Sequence, residues 1–165
     1  YGKPSRFIAY RDGNKLIKEP IFSILNGTKI QGGKGKLDDT GTRVPLIINW
    51  PSTLTSGRKT DDLIDMSDFF ATFIDVAGAK KKDNINGISF FPMIKGNKSP
   101  RQWAYSESKK RSWVRTKDYK LYNNGFFAEV SSTEPGKETK VSRPLNTQQK
   151  KAFQLLSEAY KPLLK

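Results

Sequence analysis

The sequence predicts an α/β unit over residues 1–100, followed by a small α+β unit over residues 101–165. Residues 45–50 form a continuous apolar run typical of a strand covered on both faces. Residues 65–78 repeat apolar side chains at helical spacing. After residues 97–100, which we take as the boundary, the apolar period changes to two and then becomes helical near the C-terminus. That change is typical of an antiparallel sheet with one helix.

Two short strands are predicted near the N-terminus. Residues 7–10 are apolar and precede the turn-forming residues 11–14, which predicts a buried strand that delivers Asp12 into a loop. Residues 21–25 predict a second strand, which the tight-turn pair Asn26-Gly27 would close.

The clearest predicted helix lies within residues 65–78. Asp65 is the expected N-cap, Asp68 lies near the positive end of the helix dipole, and Gly78 fits a left-handed C-terminal position. Its apolar stripe is expected to be core rather than a ligand site. The stripe consists of Met66, Phe69, Phe70, Phe73, Ile74 and Ala77.

The C-terminal unit is predicted to hold four strands and one helix. The strands are expected at residues 103–108, 112–116, 119–122 and 126–130, with a hairpin turn at residues 123–125. Residues 131–146 are predicted to be loop, and Thr147 is the expected cap of the closing helix. The apolar face of that helix comprises Phe153, Leu156, Ala159, Tyr160 and Leu163.

Composition limits the chemistry that the chain can perform. Its 165 residues include 30 Lys and Arg against 16 Asp and Glu, a net charge of +14, and neither Cys nor His. A cysteine nucleophile, a thiolate zinc site and a Ser-His-Asp triad are therefore excluded within the chain. Any metal site must use oxygen ligands, which favours Ca²⁺ or Mg²⁺. No apolar run approaches the roughly 18 residues that a membrane-spanning helix needs.

A glycine-rich segment at residues 32–35 is the first candidate site. Its glycines let backbone N–H groups approach an oxyanion, and Lys34 adds a positive charge, so phosphate or sulfate is the natural ligand. The spacing does not fit a nucleotide-binding P-loop, because Gly35 stands where Ser or Thr should hold Mg²⁺. An ordinary surface loop is the alternative interpretation.

A second candidate site combines Asp12 with Asn14. A carboxylate and an amide oxygen suit a hard cation, although Asp-Gly-Asn is also an ordinary turn sequence.

Three basic clusters form the third candidate, at residues 80–82, 109–111 and 115–117. The last two alternate with Trp103, Trp113 and Tyr119, as in proteins that bind single-stranded nucleic acid. The same pattern suits a sulfated or uronic polysaccharide equally well, and for each cluster a solvated surface is the favoured interpretation.

Four segments follow one another along the chain, at residues 32–35, 41–51, 65–78 and 86–90. Their order and spacing resemble the C-terminal half of a type I, formylglycine-dependent sulfatase. Residues 103–105 and 113–122 with the closing helix resemble that family's C-terminal subdomain. The resemblance covers the chain from about residue 30 to its end.

The resemblance implies an alkaline-phosphatase-like α/β fold for residues 1–100 and a small antiparallel-sheet subdomain for residues 101–165. It implies that Lys34 binds the substrate sulfate. It also implies that Asp12 binds Ca²⁺ or Mg²⁺, with Asn14 one place later than the family's Asp-Asn pair. A sulfated small molecule or polysaccharide would be the substrate, and nucleic acid is disfavoured.

The family's nucleophile motif, C/S-x-P-x-R, is missing, since Gly2 occupies the nucleophile position before Lys3-Pro4-Ser5-Arg6. We therefore expect a C-terminal portion of a sulfatase-like hydrolase of sulfate esters that is inactive in isolation. It would pair with the missing N-terminal half or with itself. A basic polyanion-binding module and a degenerate, truncated sulfatase paralogue are the alternatives. The resemblance implies a periplasmic or secreted protein, although the chain shows no signal peptide.

Overall fold

The structure is a computed structural model that describes residues 7–20, 22–25, 27–54, 57–80 and 83–163. The described strands are β1 (Phe7–Asp12), β2 (Lys15–Pro20), β3 (Phe22–Leu25), β4 (Thr28–Gln31), β5 (Ala104–Ser108), β6 (Arg111–Arg115), β7 (Tyr119–Tyr122), β8 (Phe127–Val130) and β9 (Glu138–Lys140). The described helices are α1 (Asp39–Thr42), α2 (Asp68–Val76), α3 (Phe91–Ile94) and α4 (Thr147–Tyr160), and a 3₁₀ turn (Lys161–Leu163) follows α4.

Strands β5 to β9 form one antiparallel sheet in which each strand pairs with the next along the chain. Helix α4 lies against β6 and β7. The core between the sheet and the helix consists of Val114, Tyr119, Leu121, Phe127, Leu156 and Tyr160. The predicted antiparallel sheet with one main helix is confirmed, and we call this assembly the C-terminal unit.

Two details of the C-terminal unit differ from the sequence prediction. Strand β9 lies inside the predicted loop, because its three residues, Glu-Thr-Lys, offer no apolar face for a periodicity argument. Helix α4 is capped by Asn146 rather than by Thr147. The side chain of Asn146 accepts a hydrogen bond from the Gln149 N–H, and the Gln149 side chain accepts one from the Asn146 N–H, which forms a reciprocal capping box.

Helix α2 confirms the predicted helix with a later start. It begins after Ser67, and the side chain of the expected cap, Asp65, accepts a hydrogen bond from the Ser67 N–H at 3.0 Å. Gly78 has a φ of +61°, the left-handed conformation that was predicted at this end.

The apolar stripe of α2 is only partly core. Phe69 packs edge-on against Phe90 with ring centroids 5.3 Å apart, and Ala71 is buried. Met66, which precedes α2, and Phe73 within α2 are 81% and 64% exposed. The prediction that the whole stripe is buried was therefore wrong for these positions.

The N-terminal segment forms two separate hairpins, β1–β2 and β3–β4. The first expected strand is present as β1, but Tyr10 in β1, Leu16 in β2 and Phe22 in β3 are all exposed. The prediction of a buried strand at residues 7–10 was wrong about the burial of Ala9 and Tyr10, which are both exposed. A two-stranded hairpin open on its faces is marginally stable in water by itself.

Residues 45–50 form no strand among the described residues, although the sequence predicts one there. Ile47 in this segment is 89% exposed. A strand needs a neighbour to bond its backbone N–H and C=O groups. In the described part of the chain no strand pairs with residues 45–50. The division of the chain near residue 100 stays a prediction.

Candidate functional site

The loop that carries Lys34 is a tight turn. The Lys36 N–H donates a hydrogen bond to the Gly33 carbonyl at 2.8 Å, and Gly35 has a φ of +81°, which favours glycine. The Lys34 side chain is exposed and makes no ion pair or hydrogen bond with any described residue. The loop therefore presents a lysine ammonium group to solvent.

The loop packs closely on the short helix α1, which follows it. Gly33 is buried, and a Cβ atom there would overlap Thr40. A Cβ atom at Gly41 would overlap the carbonyl groups of Gly33 and Lys36. The absence of side chains at these positions thus lets α1 fold back onto the loop and fixes their relative position.

Helix α1 brings a buried carboxylate beneath the loop. Asp38 caps α1 by accepting a hydrogen bond from the Thr40 N–H at 2.9 Å, and the next residue, Asp39, is only 2% exposed. Asp39 Oδ1 lies 2.6 Å from Arg115 Nη1 and 3.1 Å from Lys120 Nζ. Both cations come from the C-terminal sheet, so Asp39 connects the Lys34 loop to that sheet.

Lys120 makes a second ion pair inside the protein. Its side chain is fully buried, and its Nζ lies 2.7 Å from Glu138 Oε1. The Tyr122 hydroxyl donates to Glu138 Oε2 at 2.8 Å, and Lys120 Nζ lies 4.9 Å from the centre of the Trp113 ring. We call Asp39, Arg115, Lys120 and Glu138 the charge cluster. Its two cations balance its two anions.

Burial, neighbouring charges and hydrogen bonds determine the protonation states of residues in and beside the charge cluster. Burial opposes ionisation of Asp39, but the charges and hydrogen bonds of Arg115 and Lys120 outweigh it and hold the pKa of Asp39 below its usual value. Burial, and then the hydrogen bond to Glu138, raises the pKa of Tyr122 well above its usual range. The other Asp39 oxygen, Oδ2, is buried and has no hydrogen-bond partner among the described residues. Asp39 is therefore held as a carboxylate through one oxygen.

Two further contacts join the loop segment to the C-terminal sheet. The Trp113 Nε1–H donates to the Leu37 carbonyl at 2.6 Å. Gly136, with a φ of +87°, lies so close to α1 that a Cβ atom there would come within 2.7 Å of the Thr40 methyl group. The segment between Gly33 and α1 is thus attached to the sheet by charge, hydrogen bonding and close packing together.

A second buried ion pair lies elsewhere in the described residues. Asp68, at the start of α2, accepts two charged hydrogen bonds from Arg101, one of them from Nε at 2.5 Å. Asp68 Oδ1 also accepts from the Ile88 N–H at 2.8 Å, and Arg101 Nη1 donates to the Trp103 carbonyl at 2.8 Å. This pair fastens α2 to the start of the C-terminal unit.

The predicted metal residues, Asp12 and Asn14, lie in the turn of the β1–β2 hairpin. Asp12 pairs in register with Lys15, and Gly13 between them has a φ of +57°. Both candidate side chains are exposed, and among the described residues no group of three or more acidic side chains could hold a metal ion.

The basic clusters divide into paired and free cations. Arg115 belongs to the charge cluster, and Lys117 pairs with Asp61 and Asp62 at 3.1 and 3.0 Å. The aromatic residues Trp113 and Tyr119 are buried, so neither offers a platform for stacking bases. Lys109 and Lys110 are exposed in the β5–β6 turn, whereas two members of the cluster at residues 80–82 lie outside the described residues.

A comparison with protein families decides the relationship of the chain. The family model described as N-sulphoglucosamine sulphohydrolase, C-terminal, matches residues 34–134, which is more than half of the chain. The chain belongs to the C-terminal sulfatase family. The matched range of this sulfatase region begins at Lys34 and includes Asp39, Arg115 and Lys120, while Glu138 and Asp12 lie outside it.

Individual sulfatases give the same result. The chain is 32% identical over 141 residues to an N-acetylglucosamine-6-O-sulfatase of Bacteroides thetaiotaomicron, covering 72% of the chain and 25% of that protein. It is 34% identical over 76 residues to an ulvan-active sulfatase of Formosa agariphila, covering 46% of the chain and 15% of that protein. It is 29% identical over 119 residues to the N-acetylgalactosamine-6-sulfatase of Mus musculus, covering 70% and 23%. The chain thus spans a quarter or less of the length of these relatives.

Sequence reasoning missed three residues of the charge cluster: Asp39 and Lys120, which lie within the matched range, and Glu138, which follows it. One signal was available. Lys120 lies within β7, Tyr-Lys-Leu-Tyr, which the sequence predicts as the third of four strands, and a lysine that is buried in a sheet needs a partner. The sequence does not indicate which residue is that partner, because Asp39 is 81 residues away from Lys120.

Proposed function

We propose that the chain is the C-terminal portion of a hydrolase of sulfate esters in which Lys34 binds the sulfate group. The observation that supports this most directly is the exposed Lys34, which makes no ion pair with a described residue and lies in a glycine turn whose base is fixed on a folded sheet. A lysine ammonium group and the N–H groups of a glycine turn bind an oxyanion by charge-assisted hydrogen bonds. Its membership of the sulfatase family makes sulfate the oxyanion that we expect.

The contribution of Lys34 to catalysis would be electrostatic. A fixed cation beside a sulfuryl oxygen stabilises the charge that develops there in the transition state, and removing one such group costs roughly 100- to 1,000-fold in rate. The chain holds no Cys or His, and it lacks the nucleophile motif of the family. The chemical step therefore needs groups outside these 165 residues, and we expect the isolated chain to be inactive.

We propose Ca²⁺ or Mg²⁺ as the metal, because the family resemblance implies it, with Asp12 and more weakly Asn14 as ligands. These two side chains supply at most a few of the six or more oxygen ligands that such an ion takes. Their exposed hairpin turn does not fit a complete metal site by itself. We derive no catalytic step through the metal.

A sulfate titration of the purified chain tests the role of Lys34. Amide shifts of residues 32–36 are followed by NMR as inorganic sulfate is added at constant ionic strength. Replacing Lys34 by Ala should weaken binding about tenfold or more, since a hydrogen bond to a charged group contributes roughly 1.5–3 kcal/mol. Lys36→Ala is the matched control, because it removes the same charge two residues away and should have little effect. Equal affinities of the wild type and Lys34→Ala would disprove the assignment.

An activity assay tests the second part of the proposal. The isolated chain should not hydrolyse a generic aryl sulfate. Turnover by the chain that disappears in Lys34→Ala would show that the expected inactivity is wrong while supporting the role of Lys34.

A second candidate function is the binding of polyanions without catalysis. It is favoured by the number of exposed cations that make no ion pair with described residues, among them Lys15, Lys18, Lys109 and Lys110. Such binding weakens steeply with salt because counterions are released. A salt titration against a heparin-like glycan and against DNA separates the possibilities, and a preference for DNA would favour this candidate over the sulfatase assignment.

We also propose that the exposed apolar side chains are covered in the working protein, by the remaining part of a sulfatase domain or by a second copy of the chain. Val44 is 78% exposed and Phe70 is 58% exposed. Large exposed apolar areas on a protein usually mark surfaces that another molecule or domain covers. The isolated chain should then aggregate or associate with itself, which analytical ultracentrifugation would show. A monodisperse monomer would contradict this proposal.

We propose a periplasmic or secreted location from the family resemblance. Among the described residues no helix is both long enough and apolar enough to cross a membrane.

A further inference from the structure

The charge cluster connects the Lys34 loop to a part of the protein that follows it by some 80 residues. Asp39 lies five positions after Lys34, and its Oδ1 atom receives contacts from Arg115 at 2.6 Å and Lys120 at 3.1 Å. We propose that Asp39 is a positioning residue that holds the sulfate-binding loop in place on the C-terminal sheet. This inference rests on the proposed role of Lys34 in binding sulfate.

A path of close contacts leads from Asp39 to the loop. Gly33 packs on Thr40, the residue after Asp39, with no room for a Cβ atom between them. The Gly33 carbonyl in turn accepts the hydrogen bond that closes the turn around Lys34. A displacement of Asp39 therefore moves Thr40 and the backbone that carries Lys34, since tightly packed segments shift together.

Stability by itself does not explain the cluster well. The desolvation of buried ion pairs often cancels their attraction, so a well-packed apolar group would serve as well at these positions. An apolar group would not fix the position of α1 in the same way. Two donors that converge on one carboxylate oxygen hold that oxygen at a defined place. Lys120 also pairs with Glu138, which in turn accepts a hydrogen bond from the Tyr122 hydroxyl. These contacts link β7 to β9 and so fix the position of Lys120 further.

The Asp68–Arg101 pair provides an internal control. Asp68 is as deeply buried as Asp39, at 1% against 2% exposure. It is likewise bound to an arginine, Arg101, which lies just before the C-terminal unit. Among the described residues, the hydrogen-bond partners of Asp68 lie within residues 65–101 and none belongs to the Lys34 loop. Replacing either aspartate by asparagine leaves a buried cation without its counter-ion, but only Asp39→Asn should disturb the loop.

The test measures sulfate binding and loop opening in the folded chain. Sulfate affinity is taken from the NMR titration, and hydrogen exchange is measured at the Lys36 amide, at a temperature where each variant is folded by circular dichroism. Asp39→Asn should weaken sulfate binding by about tenfold, a smaller loss than the roughly hundredfold fall in enzyme rate that a displacement near 1 Å can cause. It should also accelerate exchange at Lys36. Asp68→Asn should lower the melting temperature and leave both loop measurements at their wild-type values.

A milder pair of variants covers the case in which Asp39→Asn does not fold. Arg115→Lys keeps the charge and loses the planar guanidinium contact, so it should weaken sulfate binding in the same direction by a smaller factor. Asp39→Glu keeps the carboxylate and should bind sulfate more tightly than Arg115→Lys.

The outcomes separate the two claims. If Lys34→Ala binds sulfate as well as the wild type, the proposed function fails. If Lys34→Ala loses affinity while Asp39→Asn and Arg115→Lys bind as the wild type does, the positioning role fails and the proposed function stands. If Asp68→Asn weakens sulfate binding as much as Asp39→Asn, the effect reflects general destabilisation, and the positioning role is overturned.

Discussion

The C-terminal unit and the N-terminal hairpins differ in how completely they bury their own apolar residues. In the C-terminal unit, α4 covers the sheet and Val114 and Leu156 are fully buried. In the hairpins β1–β2 and β3–β4, Leu16 and Ile24 are 60% and 68% exposed. The difference shows that the first region closes its own core, whereas the second leaves large apolar side chains exposed among the described residues. The Lys34 loop follows the hairpins in sequence but is attached to the C-terminal unit through the charge cluster.

The charge cluster should give the largest effect on stability. Replacing Lys120 by Met leaves Asp39 and Glu138 buried with less compensation and should cost about 3–5 kcal/mol, the range for breaking a buried ion pair. The exposed Lys117, paired with Asp61 and Asp62, is the control, and Lys117→Met should cost no more than about 1 kcal/mol. Urea unfolding followed by tryptophan fluorescence measures both. Similar losses in the two variants would show that the cluster does not hold the unit together.

The hydrophobic core should come next. Leu156→Ala should lower the free energy of unfolding by about 2–5 kcal/mol, because it leaves a cavity beneath α4. Ile47→Ala, at a side chain that is 89% exposed, should change it by less than about 0.5 kcal/mol. If Ile47→Ala destabilised the chain as strongly as Leu156→Ala, the apolar residues of the N-terminal region would be buried in solution and the comparison would fail.

The cap of α4 should have a smaller effect. Asn146→Ala removes one half of the capping box and should cost about 1 kcal/mol, whereas Thr147→Ala should have little effect, because Asn146 is the residue that caps the helix. Thermal melts of the two variants measure this difference. A larger loss of stability in Thr147→Ala than in Asn146→Ala would show that Thr147 caps the helix, as the sequence predicts.

The ionisation of Asp39 should add a dependence on pH. Its pKa is lowered in the folded chain from an ordinary value of 3.8, so the unfolded chain takes up the proton first as the pH falls. The stability that Asp39 contributes is therefore complete above about pH 4 and declines below it. Chemical denaturation at a series of pH values should show a smaller acid-side decline in Asp39→Asn than in the wild type. An identical decline in the two proteins would mean that Asp39 is not paired as described.

The features that sequence predicted well are those that depend on local pattern. The period-two segments of β5 to β8 and the apolar face of α4 identify the C-terminal unit, because each strand pairs with the next one along the chain and α4 carries its apolar residues at helical spacing. The loop around Lys34 was also found from its glycines. Residues 45–50 were misjudged because an apolar run becomes a strand only where another strand bonds to it.

The partners of buried charges could not be predicted. Asp39 and Arg115 are 76 residues apart, and both belong to residue types that usually lie on the surface. Arg115 was instead assigned to an exposed basic cluster, which the structure shows to be wrong for this residue. Ion pairs between distant segments depend on the tertiary fold, and neither charge nor spacing in one sequence reveals them.

Native-state hydrogen exchange on the isolated chain tests most directly whether the Lys34 loop belongs energetically to the C-terminal unit. The amides of Thr42 and Arg43, which donate to the Asp38 and Asp39 carbonyls, report on α1 and the base of the loop. These amides should be protected to nearly the same degree as those of β6 and β7, while the amides of β1 to β4 exchange much faster. Exchange of Thr42 and Arg43 at the rate of the hairpins would contradict the account, because the loop would then open independently of the sheet.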